Sequence, residues 1–306
     1  MTNRVRGDLV LVLVTIIAAF GWLLSKKVLD FAVPPFLFIG VRFLLAGLVL
    51  GAIVQRTVRS LSKKQWKIAA TTGTLFGLAM LLWIQGLYYS SHLGEAAFIS
   101  SLSVIMIPLI GRLIFGDRIP PFLLIPLLMA LGGMALLTLG DKIQLELSQL
   151  FLLSAALLFA LQLVLTARFV SSIPAMGLAA IQMTCVGIVG LVAGVIAAYM
   201  NGETLSLDWG MEAWLWLLAS CFFTSLLRFA LQMYALKFSS ATNAGMILVL
   251  EPVWTTLLAT VFFGELMAIN QWAGCGLIFA AIVVFQLISL HKRRYPSRAV
   301  SDKPVT

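Results

Sequence analysis

The sequence predicts an all-α membrane protein of ten transmembrane helices, arranged as two inverted five-helix repeats with the N- and C-termini in the cytoplasm. Three observations predict this fold: an apolar composition, basic residues confined to alternate loops, and a weak similarity between the two halves. Of the 306 residues, 61% are hydrophobic and 11% are charged, with a mean hydropathy of +1.04. A soluble domain carries about 25% charged residues, because water must solvate its surface. The composition therefore excludes an ordinary soluble enzyme.

Ten apolar runs approach the length of about 20 residues that a helix needs to cross the hydrocarbon core. Residues typical of turns separate them, among them Pro34, Pro120, Pro174 and Asn201. The predicted helices cover residues 8–29, 34–54, 67–89, 94–115, 121–140, 149–169, 175–200, 213–236, 242–263 and 269–290.

The basic residues predict the orientation, because short loops rich in Lys and Arg stay on the cytoplasmic side of the membrane. With the N-terminus inside, all but five of the 21 Lys and Arg residues lie in inner segments. The outer side holds Lys26, Lys27 and Lys142, and the helices hold Arg42 and Arg228. Topology alone thus accounts for the net charge of +9. We expect a multi-pass protein of the plasma membrane, a bacterial inner membrane, with the lipid bilayer and not nucleic acid as its partner.

The two halves of the chain resemble each other at two constant shifts. A shift of 140 residues aligns Trp22 with Gln162, Pro34 with Pro174, Arg42 with Gln182 and Gly47 with Gly187; a shift of 148 aligns Ser91 with Ser239, Ala96 with Ala244, Leu102 with Leu250, and residues 115–117 with 263–265. Each half has five helices, an odd number, so the second half enters the membrane inverted. We expect repeats at 1–141 and 142–291, a basic cytoplasmic tail at 292–306, and a binding site near the midplane between the halves.

Charged groups inside the membrane are the first candidates for a site, since an ionisable side chain in hydrocarbon costs several kcal/mol unless it is paired or faces water. Arg228 and Glu251 lie about eight and nine residues from the inner ends of their helices. At a rise of 1.5 Å per residue both are about 12–13 Å deep, so they can reach each other. Two interpretations stay open: a substrate-binding or proton-carrying pair, or a buried ion pair that holds two helices in register.

Further polar and aromatic residues in the helices extend this candidate cavity. Gln232 lies four residues after Arg228 on the same helix face, and Gln85 is nearly its counterpart in the first half. Trp83 and Tyr88 are near Gln85 and are expected to line the outer half of the cavity. Hydrogen bonds between helices are the structural alternative for these residues.

Four more residues complete the set of candidates. Arg42 lies about eight residues below the outer surface, where its side chain could extend to the surface or pair with Glu95. Asn243 and Trp254 flank Glu251, eight residues before it and three after it, and their spacing allows them to share its face. A structural role is the alternative for each.

The sequence predicts no enzymatic chemistry, cofactor or metal. It has no G-x-x-x-x-G-K-[ST] or H-E-x-x-H motif and no carboxylates paired at catalytic spacing on one helix. Its three cysteines show no C-x-x-C spacing and are expected to be small packing residues.

Several stretches of the chain resemble the EamA-type family of the drug/metabolite transporter superfamily. They are residues 85–91 (QGLYYSS), 94–99 (GEAAFI) continuing to Pro108, and 250–253 (LEPV) through 263–265 (FGE) to Gly274. The resemblance covers essentially the whole chain. It implies ten helices in an inverted repeat and a central cavity lined chiefly by the third, fourth, eighth and ninth helices. Members of the family move amino acids, related metabolites and drugs. The chain departs from a symmetric pattern at Val104, which matches the position of Pro252.

The resulting hypothesis is a secondary transporter for a small molecule, with an amino acid or related amphipathic compound as substrate and export as the direction, driven by the substrate gradient or a coupled proton. Two alternatives stay open. One is an integral membrane enzyme for a lipid-linked substrate, for which only Glu203, Asp208 and Glu212 gather outside the membrane. The other is a non-transporting membrane partner protein. The sequence does not indicate an oligomeric state.

Overall fold

The computed structural model describes residues 3–90, 93–117, 121–138, 147–169, 173–202, 206–239, 241–263 and 269–294. Every regular element in these ranges is helical, with one 3-10 turn at Pro121–Leu123 and one π-helical segment at Ser220–Leu227. The α-helices are α1 (Asn3–Leu29), α2 (Pro35–Ile53), α3 (Gln55–Arg59), α4 (Lys63–Tyr89), α5 (Leu93–Ser101), α6 (Ser103–Phe115), α7 (Leu124–Thr138), α8 (Leu147–Phe169), α9 (Ala175–Asn201), α10 (Gly210–Ala219), α11 (Arg228–Leu236), α12 (Ala241–Leu248), α13 (Leu250–Phe263) and α14 (Ile269–Arg294).

Seven helical stretches in the described ranges are long and apolar enough to cross a membrane: residues 5–29, 35–53, 63–89, 147–169, 175–201, 210–236 and 243–262. Three shorter apolar helices lie at 99–115, 124–133 and 272–285, within three of the other predicted spans. The all-helical prediction is therefore confirmed.

The predicted start of the third helix at residue 67 is wrong by one turn, because Ser62 Oγ accepts a hydrogen bond from the Gln65 amide and Gln65 Oε1 accepts one from the Ser62 amide. This reciprocal cap begins α4 at Lys63.

Two interruptions lie in the membrane-spanning stretches that carry Arg228 and Glu251. A π-helical segment joins α10 to α11 and ends immediately before Arg228. Such segments widen a helix locally and change which residues share a face. The other interruption separates α12 from α13 at Val249. Pro252 has no amide hydrogen for the Leu248 carbonyl, which explains why α12 ends at Leu248.

Glycines bring α2 and α9 into backbone contact. A Cβ atom on Gly47 would lie 2.6 Å from the Thr184 amide nitrogen, and one on Gly187 would lie 2.4 Å from the Leu44 nitrogen. A side chain does not fit at either place, so the glycines set the separation of the two helices, as small residues do in membrane proteins. Elsewhere α4 packs against α8, α7 against α14, and α1 against α11 and α13. These contacts leave a space between the helices.

Candidate functional site

A cavity of about 130 Å³ lies between the helices, with walls from α1, α2, α4, α5, α6, α8, α11, α12 and α13. Its polar lining residues are Arg42, Ser100, Ser101, Ser103, Gln162, Arg228, Gln232 and Glu251, and its aromatic ones are Trp22, Phe43, Phe76, Trp83, Phe159 and Phe229. A cavity of about this volume accommodates a molecule the size of benzene. The walls thus offer a small, largely apolar compartment with a few charged groups, which is the usual composition of a small-molecule site.

The ion pair between Arg228 and Glu251, which we expected from their similar predicted depth in the membrane, is present at this cavity. Arg228 Nη2 donates a hydrogen bond to Glu251 Oε2 at 3.2 Å, and the two side chains are 21% and 18% exposed. Trp22 Nε1 donates to the other carboxylate oxygen, Oε1, at 2.7 Å. Both oxygens of Glu251 therefore have a partner, and the carboxylate is held against α1 and α11. The indole of Trp22 packs edge-on against Trp83, with ring centroids 4.9 Å apart.

Arg42 is buried, with 3% of its surface exposed, so the expectation that it extends to the surface is wrong. Its Nε donates to Ser225 Oγ at 2.7 Å, Nη1 to Ser25 Oγ at 2.8 Å and Nη2 to Thr224 Oγ1 at 2.7 Å. The reason is the π-helical segment, which presents the hydroxyls of Thr224 and Ser225 to one guanidinium. The side chain of Glu95, its predicted partner, lies outside the described part of the structure.

Gln232 and Trp83 line the cavity together with Arg42, Arg228 and Glu251, five of the ten residues that we predicted for the site. Gln232 is 8% exposed and Trp83 is 7% exposed. Thr224, four residues before Arg228, accepts a hydrogen bond from Arg42 Nη2 and is not among the residues that line the cavity.

Four other predicted residues do not contribute to the cavity wall. Asn243 Nδ2 donates to Asp8 Oδ1 at 2.7 Å and to Ser239 Oγ at 2.6 Å, and Trp254 Nε1 donates to Thr15 Oγ1 at 3.2 Å. Both therefore face α1 instead of the space beside Glu251.

On α4, Gln85 and Tyr88 lie outside the cavity lining for a geometric reason. At about 100° per residue they are turned by about 160° and 140° from Trp83, which faces the cavity. Tyr88 is 49% exposed and packs against Tyr89, with ring centroids 5.2 Å apart. Sequence spacing alone did not show which face of its helix each of these four residues occupies.

Trp22, Gln162 and Ser100 line the cavity and were not predicted. A signal for two of them was available, since the shift of 140 residues aligns Trp22 with Gln162. Both residues are large and capable of hydrogen bonding, and they occupy matching positions at this shift. Ser100 offers no such signal, because serine is common in membrane helices.

Three buried polar atoms among the described side chains have no hydrogen-bond partner: Ser100 Oγ, Arg228 Nε and Gln232 Oε1. All three residues line the cavity. An unpaired buried polar group costs about 1–3 kcal/mol, so this cost is concentrated at one place in the molecule. Among the described residues, no three His, Cys, Asp or Glu side chains gather as metal ligands would.

Comparisons with known proteins agree with this architecture. The family model described as "EamA-like transporter family" matches residues 5–139 and again 147–287. Over 273 residues, 87% of this chain and 85% of the relative, the chain is 26% identical to the "Uncharacterized inner membrane transporter YedA" of Escherichia coli K12. The protein of the same description from Escherichia coli O157:H7 matches to the same extent. A protein of known crystal structure aligns with a TM-score of 0.72 at 20% identity, covering 94% of this chain and 99% of that one, which shows the fold.

Proposed function

The chain belongs to the EamA-like transporter family, and we propose that it is a secondary transporter that moves a small metabolite across the plasma membrane by alternating access. The observation that carries the proposal is the cavity between the helices, where the partly buried pair Arg228 and Glu251 meets aromatic walls. A charged pair is costly in a membrane interior and its position at a cavity favours a ligand role over a purely structural one.

We further propose ten transmembrane helices in two inverted repeats, 1–141 and 142–291, with cytoplasmic termini. Two separate matches to one family model, at 5–139 and 147–287, support this division. The contact between α2 and α9 supports it too: Gly47 meets Thr184 and Gly187 meets Leu44, and a shift of 140 residues converts the first pair into the second. A pseudo-two-fold axis between α2 and α9 would produce such a relation, and rocking of one repeat against the other would then expose the cavity to each side.

The proposed substrate is an amino acid or a related amphipathic compound, and the proposed direction is export. The aromatic walls suit an apolar side chain, and the charged groups suit the polar end of such a molecule. The substrate gradient or a coupled proton would drive transport, and Glu251 is the candidate proton carrier because it is the carboxylate in the cavity wall among described side chains. The inner-membrane transporters that the chain resembles support the proposed location.

Counterflow of labelled amino acids in proteoliposomes of the purified protein tests the proposal. We expect flux in the wild type, its loss in Glu251→Gln, and normal flux in the control Glu212→Gln, whose side chain is exposed. A folded wild type that shows neither flux nor binding with amino acids, polyamines, nucleosides and sugars would overturn the proposal. It would favour a membrane enzyme or a non-transporting partner protein instead.

A further inference from the structure

We infer that the cavity binds a small inorganic monoanion, of which chloride is the common one, beside the guanidinium of Arg42. The anion is the counter-ion of this buried side chain and is bound in addition to the proposed substrate. Its binding does not require that the protein transport a metabolite. Three features support the site: the charges of the cavity wall, the neutral partners of Arg42, and the unpaired donors in the wall.

The charged groups that line the cavity leave one positive charge in excess. Among the described side chains, the wall has two guanidinium groups, Arg42 and Arg228, and one carboxylate, Glu251. Both oxygens of this carboxylate are occupied, by Arg228 and by Trp22, so neither is available to Arg42. A guanidinium stays protonated in proteins. Arg42 therefore brings an unbalanced charge to the wall.

The hydrogen-bond partners of Arg42 are neutral hydroxyl groups. Its guanidinium donates to Ser25, Thr224 and Ser225. Ser25 and Thr224 each donate their own proton to the backbone carbonyl four residues earlier. These bonds hold the guanidinium in place through dipoles, but they bring no negative charge to it.

Two aromatic rings also face the charge of Arg42. Its guanidinium carbon lies 5.5 Å from the ring centroid of Phe38 and 5.3 Å from that of Phe43. A ring face stabilises a cation by less than the cost of burying an ion in a low-dielectric interior. The rings therefore offset only a part of that cost, and an anion in the cavity would offset the rest.

The charge count favours a monoanion. An amino acid at neutral pH carries one ammonium and one carboxylate, so the proposed substrate leaves the count unchanged. A divalent anion would replace the excess positive charge with an excess negative one. The cavity of about 130 Å³ accommodates a molecule about the size of benzene, which is smaller than an organic anion such as gluconate. A small inorganic monoanion satisfies both limits.

The cavity wall offers unpaired donors to such an anion. A guanidinium has five N–H groups, and Arg42 uses three of them in hydrogen bonds. Arg228 Nε and Ser100 Oγ are buried at the same cavity and have no partner among the described groups. Converging N–H and O–H donors are what binds an anion in proteins. The third unpaired atom, Gln232 Oε1, is an acceptor and is left to water or to the substrate.

A chloride titration of the purified protein in detergent tests the site. Chloride replaces gluconate at constant ionic strength, so that only the identity of the anion changes. We expect a saturable rise in melting temperature of about 2–4 °C, because a ligand that binds only the folded state stabilises it by mass action. Radiolabelled chloride should be retained by the immobilised protein and displaced by bromide, whereas gluconate and sulfate should not displace it.

Variants of Arg42 test the assigned group. Arg42→Gln removes the charge that requires a counter-ion and should abolish both the rise in melting temperature and the retention of chloride. Arg42→Lys keeps the charge but loses donors, and should bind chloride more weakly than the wild type does. Arg59→Gln removes an exposed charge and is the matched control, with unchanged chloride binding. If Arg42→Gln does not fold, Ser100→Ala removes one donor and should weaken chloride binding about tenfold.

Three results would overturn the inference. The first is a wild type with equal melting temperatures in chloride and gluconate and no retained chloride. The second is chloride binding that persists unchanged in Arg42→Gln or, if that variant does not fold, in Ser100→Ala. The third is chloride binding that appears only in Glu95→Gln, which would identify Glu95 as the counter-ion. The proposed transport function fails separately, since chloride binding without flux of any metabolite would retain the anion and overturn transport alone.

Discussion

Arg42 on α2 and Gln182 on α9 occupy matching positions at the shift of 140 residues, and each joins three helices. Arg42 donates to Ser25 on α1 and to Thr224 and Ser225 of the π-helical segment. Gln182 Nε2 donates to Thr72 Oγ1 on α4 at 2.9 Å and to Thr166 Oγ1 on α8 at 3.0 Å. Both side chains are 3% exposed.

We call the hydrogen-bonded groups around Arg42 and around Gln182 the two joints. They differ in charge, and only one of them reaches the cavity. Arg42 lines the cavity, and Gln182 does not. In each half of the chain, a buried donor on the second long helix forms hydrogen bonds with hydroxyl groups of two neighbouring helices. Only one of these two donors is charged, and it is the one that lines the cavity, which supports the proposed role of Arg42 in the site.

Placing a charge in the neutral joint should have the largest effect. Gln182→Arg buries a guanidinium beside Thr72 and Thr166 at a place that does not line the described cavity, and should lower the free energy of unfolding by about 3 kcal/mol or more. The melting temperature in detergent measures this, with Gln55→Arg, at an exposed position of α3, as the control. If Gln182→Arg is as stable as the control, the two joints are interchangeable and the distinction fails.

Removing the charge from the other joint should affect binding more than stability. Arg42→Gln makes the first joint resemble the second and removes one positive charge from the cavity wall. We expect amino-acid binding to weaken about tenfold or more, with a smaller loss of melting temperature than in Gln182→Arg. Arg59→Gln removes an exposed charge and is the matched control. Unchanged binding in Arg42→Gln would assign Arg42 a purely structural role.

The glycine contacts test the part of the comparison in which the halves agree. Gly47→Ala and Gly187→Ala each place a Cβ within 2.6 Å of backbone atoms, and each should cost about 1–3 kcal/mol of stability. Gly51→Ala has no atoms within 4 Å of the new Cβ and should be neutral or slightly stabilising. Thermal unfolding compares the three; a large difference between Gly47→Ala and Gly187→Ala would argue against equivalent packing of the two halves.

The smallest effect is expected outside the cavity. Trp254→Phe removes the hydrogen bond to Thr15 Oγ1 and should cost about 1 kcal/mol of stability without changing ligand affinity. Trp22→Phe removes a hydrogen bond of the same kind from Glu251 and should change affinity. Equal effects of the two variants on binding would mean that Trp254 belongs to the site despite its position.

The sequence predicted the helices and the contact between Arg228 and Glu251, but it did not predict which face of a helix points toward the cavity. Apolar runs located the helices, and the depths of Arg228 and Glu251 were sufficient to predict their contact, because both are counted from helix ends. The sequence did not show the orientation of the side chain around the helix axis for four residues: Asn243, Trp254, Gln85 and Tyr88. In an almost uniformly apolar helix, periodicity does not separate the face toward the protein from the face toward lipid, and the interruptions at Ser220–Leu227 and Val249 alter the register further.

Access to the cavity from both sides of the membrane is the most direct test of the central claim, that this space is the route of the substrate. Ser103 lines the cavity, and Ser103→Cys in a background with Cys185, Cys221 and Cys275 replaced by alanine carries a single thiol there. A membrane-impermeant thiol reagent should label it in right-side-out and in inside-out vesicles, and an amino acid that stabilises the protein should slow both reactions. Labelling from one side only, with no effect of that amino acid, would contradict the account.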